Sequence, residues 1–384
     1  MSFPSFEDVR ELLGWRPSLG VVSVYLEIDP ADRGGAWHTE LRNGLAELLE
    51  GDGELDHQTR VALRASAKRV ADRFDDPDRA NLPRGKAGFV EVAADRGASE
   101  RWWPTQIAPR SPAVAYLTRE PVLAPLVDLA GRCVPRGVAI LSAERVRLLE
   151  RGPGRLRELR DWELTLISDD WRERKAPMVS NPAAGRAVSA AGHDQYDERL
   201  EANRHRFLGE CGRLVAEAAA ERGWSQVLAF GAPPDLGRFR DAIPSSGSLS
   251  VDAGAEADLI SEPRETLREQ VEEAVARVDG ERDRALVERA LEESRAGGRG
   301  AAGRQETSAA LVEGRVDHLL LDAALALFGD GVRPALDAAS DAGTAGSEPL
   351  VRSALAGGAR VTAVAGDVAA PLQPFDGVAA LLRY

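Results

Sequence analysis

The 384-residue sequence contains only two cysteines, Cys133 and Cys211, too few for a disulfide framework or a cysteine zinc site. Its five histidines, His38, His57, His193, His205 and His318, form no pair at metal-ligand spacing with carboxylates on one helix face. A Gly-x-Ser-x-Gly elbow is missing, and neither cysteine has a local signature of nucleophilic activation. No apolar run approaches the roughly 18 residues that a membrane span requires, and the opening Met1–Asp8 has neither a basic nor an apolar signal region. Also missing is any cationic excess. The 49 Lys and Arg face 62 Asp and Glu, for a net charge of −13, which excludes a basic nucleic-acid coat and a polybasic membrane binder. A soluble, cytoplasmic protein is expected, with no cofactor or metal and with neither DNA nor membrane as partner. Any RNA contact must come from a local basic patch.

What is present suffices for folded domains. Hydrophobic residues make up 43% and charged residues 29%, so each domain can bury a core, and the length suggests two or three domains at roughly 150 residues each. Three segments emerge, 1–121, 122–250 and 251–384. In the first, the β-branched run Val21–Ile28 reads as a strand, and helical spacing follows at Trp37, Leu41, Leu45, Leu48 and Leu49, then at Leu63, Ala67, Val70 and Phe74. Strand-like pieces return at Gly88–Val92, Arg101–Pro104 and Val114–Leu117, giving a small α+β domain that ends at the Glu120-Pro121 break. The second segment alternates strands (Gly137–Leu141, Arg145–Leu149, Trp162–Ile167, Gln226–Phe230) with a helix over Gln195–Arg222 that Gly223 stops, an α/β layer pattern. The third holds a charged helix over Pro263–Ala296, a helix into Gly314, a strand at His318–Asp322, a helix–strand pair over Leu350–Ala365 and a last strand near the end.

Two features invite a chemical reading. Gly298-Arg299-Gly300-Ala301-Ala302-Gly303 spells the dinucleotide pattern. That motif needs a preceding strand, whereas Ala285–Ala296 reads as helix, so a helix-to-helix loop is expected and no nucleotide site. The stretch Asp169–Asp194 lacks apolar periodicity, is rich in small residues, and carries Arg172, Arg174, Lys175 and Arg186; structureless loops of that length in compact domains are usually functional or disordered. Asp194 can cap the helix behind it. That helix displays Arg199, Arg204, Arg206 and Arg213, and upstream Arg145, Arg147, Arg151, Arg155, Arg157 and Arg160 cluster. Guanidinium forks suit phosphate, yet Glu144, Glu150, Glu158, Glu198 and Glu201 interleave, so a salt-bridged surface accounts for most of these charges.

Three stretches together resemble the bacterial members of the archaeo-eukaryotic class-one release factor superfamily, which includes peptidyl-tRNA hydrolases of ribosome-associated quality control. They are the loop and helix Gly192–Phe207, the helix–Gly–strand step Leu311–Leu321, and the ending Asp376–Tyr384. The resemblance implies an RNase-H-like α/β central domain and a C-terminal α/β/α sandwich similar to kink-turn RNA-binding ribosomal proteins. It also implies hydrolysis of the peptidyl-tRNA ester, with the ribosome (rRNA and peptidyl-tRNA) as partner and a translation GTPase as candidate for delivery. Carried over residue by residue, Gln195 matches the motif glutamine and Gly192 a motif glycine, with His193 and Asp194 standing between them. Arg186, Arg199, Arg204 and Arg206 are the RNA-binding candidates. No Asn-Ile-Lys-Ser stop-codon motif occurs in the first segment, so the implied activity is codon-independent. The interrupted glutamine motif keeps open a non-hydrolytic hibernation or protection factor occupying the A site, and a stress-related α/β protein with no ribosome involvement is the third reading.

Overall fold

The computed structural model describes residues 4–29, 32, 35–50, 55–74, 83–94, 97–105, 107–111, 114–152, 155–164, 172–173, 190–244, 249–255, 258–324 and 347–384, with 172–173 and 190–199 by backbone alone. It is a mixed α/β protein with three sheets. The chain divides into two compact units, one made of Met1–Val134 with Gly280–Tyr384 and the other of Pro135–Asp279.

In the first unit, helix α1 (Phe6–Leu13) starts at a capping box, with Ser5 and Asp8 each accepting the other's backbone N–H. Strands β1 (Val21–Glu27), β2 (Gly85–Glu91), β3 (Glu100–Thr105) and β4 (Ala115–Thr118) make an antiparallel sheet in the order β3-β2-β1-β4. Helices α2 (Ala36–Glu50) and α3 (His57–Phe74) cover one face, where Val22, Val24 and Leu26 meet Trp37, Leu41, Leu63 and Val70, at the period expected. At close packing each such side chain contributes roughly 1.5–3 kcal/mol.

The other face, with Val21, Tyr25, Phe89 and Trp103, shares its core with the end of the chain. Helix α4 (Ala124–Arg132) lies in that core with seven buried residues in succession, Ala124 to Ala130. It is only nine residues long, with Pro125 in its first turn, too short a window for its period to stand out in the sequence. The last sheet holds β11 (Gly300–Ala302), β12 (Val316–Asp322), β13 (Arg360–Val364) and β14 (Val378–Leu382) in the order β11-β14-β12-β13. Only the β12–β13 pair is parallel. One face packs on α8 (Arg304–Val312) and α9 (Glu348–Ala356). The other packs on Val287, Ala290 and Leu291 of the long helix α7 (Arg264–Arg295), an α/β/α layering. From α9, the Glu348 carboxylate accepts the N–H groups of Leu123 and Ala124 (both 2.9 Å) and so caps α4, while Arg352 donates to the Pro121 carbonyl at 2.8 Å.

The glycine pattern at 298–303 differs from the helix-to-helix loop expected, because β11 lies between α7 and α8. A Cβ on Gly300 would stand 2.4 Å from the Ala290 carbonyl oxygen, and Gly303 takes φ +86°. These glycines let a strand run against a helix and then turn into another.

The second unit is a six-stranded sheet, order β10-β9-β5-β6-β7-β8. Its strands are β5 (Arg136–Leu141), β6 (Arg145–Gly152), β7 (Arg155–Glu163), β8 (Arg172–Glu173), β9 (Gln226–Phe230) and β10 (Ser250–Ala255). The central sheet thus runs past residue 250. Strand β7 precedes the Trp162–Ile167 expected, because its alternation is of arginines and carboxylates around only two fully buried apolar residues, Leu156 and Trp162. Helices α5 (Ala190–Arg222) and α6 (Pro233–Asp241) cover one face through Phe207, Leu208, Cys211, Val215 and Phe239. Leu267, Val271, Ala274 and Val278 of α7 cover the other.

Candidate functional site

Helix α5 carries the residues singled out from the sequence, and it begins at Ala190 instead of after Asp194. Ala190 and Ala191 have the highest helix propensity and extend the helix through Gly192, so Asp194 stands inside it and is not its cap. Gly192, Gln195 and Arg199 are therefore helical positions. Two residues of the expected loop, Arg172 and Glu173, form β8 and pair with Trp162 and Glu163. Arg174, Lys175 and Arg186 lie outside the described residues.

The helix has two faces. At about 100° per residue, Gly192, Gln195, Arg199, Arg206 and Arg213 occupy positions within about 60° of one another, opposite Leu208, Cys211, Val215 and Ala219 in the core. Arg206 and Arg213 are exposed. Arg206 donates to Asn203 Oδ1 at 3.1 Å, and Arg213 has no partner among the described residues. Arg204 lies on the opposite side. It binds Glu144 at 2.6 Å and Glu201 at 3.1 Å, and Glu144 first and Glu201 after it hold the guanidinium more firmly charged. Hydrogen bonds from Arg204 and Arg238 lower the Glu201 carboxyl in return. The structure thus aligns Gly192, Gln195, Arg199 and Arg206 on one line and turns Arg204 inward to its own acids.

The upstream arginines are also engaged. Arg145 grips Asp161 with Nε and Nη2 (2.9 and 2.8 Å). Arg151 grips Glu272 of α7 (3.1 and 2.8 Å), and Arg136 reaches Asp279 at 2.8 Å. Arg147 is the most enclosed of these in partners. It binds Glu158 twice at 3.1 Å and donates to the Ile260 and Glu262 carbonyls at 3.0 and 3.1 Å. These guanidiniums fasten strands to one another and to α7.

Other chemistry finds no footing among the described residues. No group of three or more His, Cys, Asp or Glu is placed to hold a metal. Cys211 is buried, and burial pushes its thiol far above the ordinary range, away from the nucleophilic thiolate. His205 is exposed. No helix is long and apolar enough to cross a membrane.

The second unit is thus a mixed sheet covered on both faces by helices, one of them long and bearing Gln195 and a line of arginines. Residues 135–271 match the model of bacterial archaeo-eukaryotic release factor family 5. The superfamily resemblance read from the sequence stands over this span, which begins where the compact unit begins. Nothing among curated proteins matches the chain. Among solved structures it is similar to the archaeal translation termination factor aRF1 (19% identity, 99% of this chain and 98% of that one, TM-score 0.25). It is also similar to Archaeoglobus fulgidus Pelota (14%, 78% and 79%, TM-score 0.34) and to S. cerevisiae Dom34, a translation termination-like factor that interacts with Hbs1 (9%, 78% and 80%, TM-score 0.39).

Proposed function

We propose that the protein is a ribosome-associated translation factor of release-factor type that hydrolyses the peptidyl-tRNA ester on stalled ribosomes without a stop codon. The match of residues 135–271 to the release-factor family model carries this reading, since that span contains α5 and Gln195. In it, Gln195 orients a water beside the ester carbonyl, Gly192 lets the chain approach closely, and Arg199 and Arg206 hold RNA phosphate. Arg186 and Arg204 complete the set proposed from the sequence, Arg204 by exchanging Glu201 for phosphate. Of the segments 1–121, 122–250 and 251–384 read from the sequence, the middle one, together with β10 and the first half of α7, is the body proposed to carry this chemistry. A translation GTPase is the proposed delivery partner, as the release-factor resemblance of the sequence implies.

The test is release of labelled peptide from stalled ribosome complexes. Gln195→Ala should slow hydrolysis by roughly 10²–10³, the cost of losing one oriented polar group, while co-sedimentation with ribosomes persists. An unchanged rate overturns the role of Gln195. One observation favours a second reading. Gln195 stands on a helix, next to His193 and Asp194, and not at the tip of a small-residue loop. A non-hydrolytic factor occupying the A site would bind vacant ribosomes with strong salt dependence and release no peptide.

A further inference from the structure

Helix α3 is the most one-sidedly basic of the described helices. It carries Arg60, Arg64, Lys68, Arg69 and Arg73 against Asp72 alone, in a chain of net charge −13. Two of the five are structural. Arg60 donates to the Leu55 carbonyl at 3.0 Å, and Arg69 donates to the Glu91 and Ala93 carbonyls at 2.8 and 3.2 Å. Arg73 sits in the last turn, where the helix dipole favours a cation. That leaves Arg64 and Lys68.

Both are exposed and have no partner among the described residues. At about 100° per residue they lie within about 60° of His57 and Val61, also exposed, on the side opposite Leu63, Ser66 and Val70. Like charges four residues apart destabilise a helix by roughly 0.2–0.5 kcal/mol. The nearby acids make no ion pair with either cation among the described residues: Glu40, Glu47 and Glu50 of α2 are exposed, and so is Asp72, one turn beyond Lys68 on the same side of α3. Arg64 and Lys68 therefore stand together without an ion pair among the described residues, with Asp72 the one acid of their own helix.

We infer that the Arg64–Lys68 ridge of α3 binds the phosphate backbone of RNA. The ridge offers two point contacts one helical turn apart and no exposed Phe, Tyr or Trp for base stacking, so binding is independent of sequence. A lipid surface is the poorer partner. A helix that seats in a membrane presents an apolar face, and that of α3 is spent on its own sheet, leaving Val61 alone outside at 43% exposure. The choice of RNA among polyanions rests on the ribosome-factor reading; the unpaired ridge does not.

The experiment uses the full chain and a fluorescent RNA duplex, titrated between roughly 50 and 200 mM salt. The double variant Arg64→Glu, Lys68→Glu should weaken binding at least ~10-fold at the low end and flatten the log–log salt slope by about 2, one unit per lost phosphate contact. Arg268→Glu with Arg289→Glu, exposed cations of α7, changes net charge equally and should leave both quantities near wild type. Equal losses in the two double variants overturn the ridge, as does no loss in either. Capture of the wild type by phosphatidylserine vesicles but not by RNA, abolished in the ridge variant, overturns it in favour of lipid. Ribosome co-sedimentation is scored separately. If the wild type binds duplex through the ridge yet ignores ribosomes, the ribosome reading fails and the ridge stands.

Discussion

The arginines of the central sheet and the cations of α3 look alike in a list of charges and behave oppositely in the fold. Arg136, Arg147 and Arg151 are buried against Asp279, Glu158 and Glu272, whereas Arg64 and Lys68 face water with no ion pair among the described residues. A guanidinium removed from water must be matched in charge and hydrogen bonding, so density of arginine marks architecture where carboxylates interleave. Cations mark a binding surface where the acids are missing. The sign of the neighbours separates the two cases, and the number of arginines does not.

The contrast is sharpest at Arg147. Arg147→Ala strips Glu158 and the Ile260 and Glu262 carbonyls of their donor in a nearly closed setting, and about 3–5 kcal/mol of unfolding free energy should be lost. Urea unfolding measures it; a loss below about 1 kcal/mol would place these arginines with ordinary surface pairs.

An intermediate case is His318, a cation that the fold suppresses. Burial, with the charge of Arg360 second, lowers its imidazole from 6.5 to about 4, and its Nε2 meets Thr362 Oγ1 at 2.8 Å. Between those values the unfolded chain takes up a proton that the folded chain refuses. Stability is thus complete above about pH 6.5 and falls by about 3 kcal/mol as pH drops towards 4. In chemical denaturation across that window, His318→Gln should show a shallower acid loss than the wild type; parallel curves would contradict the assignment. The smallest effect belongs to Arg157, 51% exposed beside Glu150. Arg157→Ala should shift the same midpoint by well under ~1 kcal/mol, and a larger change would blur the boundary between architectural and surface arginines.

Much of this fold is legible in the sequence. Val21, Trp37, Leu41, Leu63, Val70 and Phe74 fall in the core at the periods their spacing announces, and Gly137–Leu141 pairs with Arg145–Leu149 as a hairpin-like neighbour should. Helix α4 stays hidden because nine residues with a proline in the first turn are too short a window for a helical period, and β7 because its order is written in charge pairs. The candidate site is only half legible. Helical phase brings Gln195, Arg199, Arg206 and Arg213 to one line, whereas two alanines moved the helix start ahead of the glutamine. Whether Arg204 faced solvent or Glu144, sixty residues away in sequence, required the fold. The α3 ridge had a sequence signal, a helix with five cations and one acid, that a search for arginine clusters passes over.

The core that joins Val9, Leu12 and Leu126 to Leu319, Val351 and Leu382 also dictates an order of assembly. A nascent chain presents the first of these long before the last, so their apolar sides stay uncovered while the intervening 135–279 stretch, contiguous in sequence, can close upon itself. The two halves of this unit are thus completed only once β14 has been made, and truncating that strand would unmake the first half of the unit as much as the second.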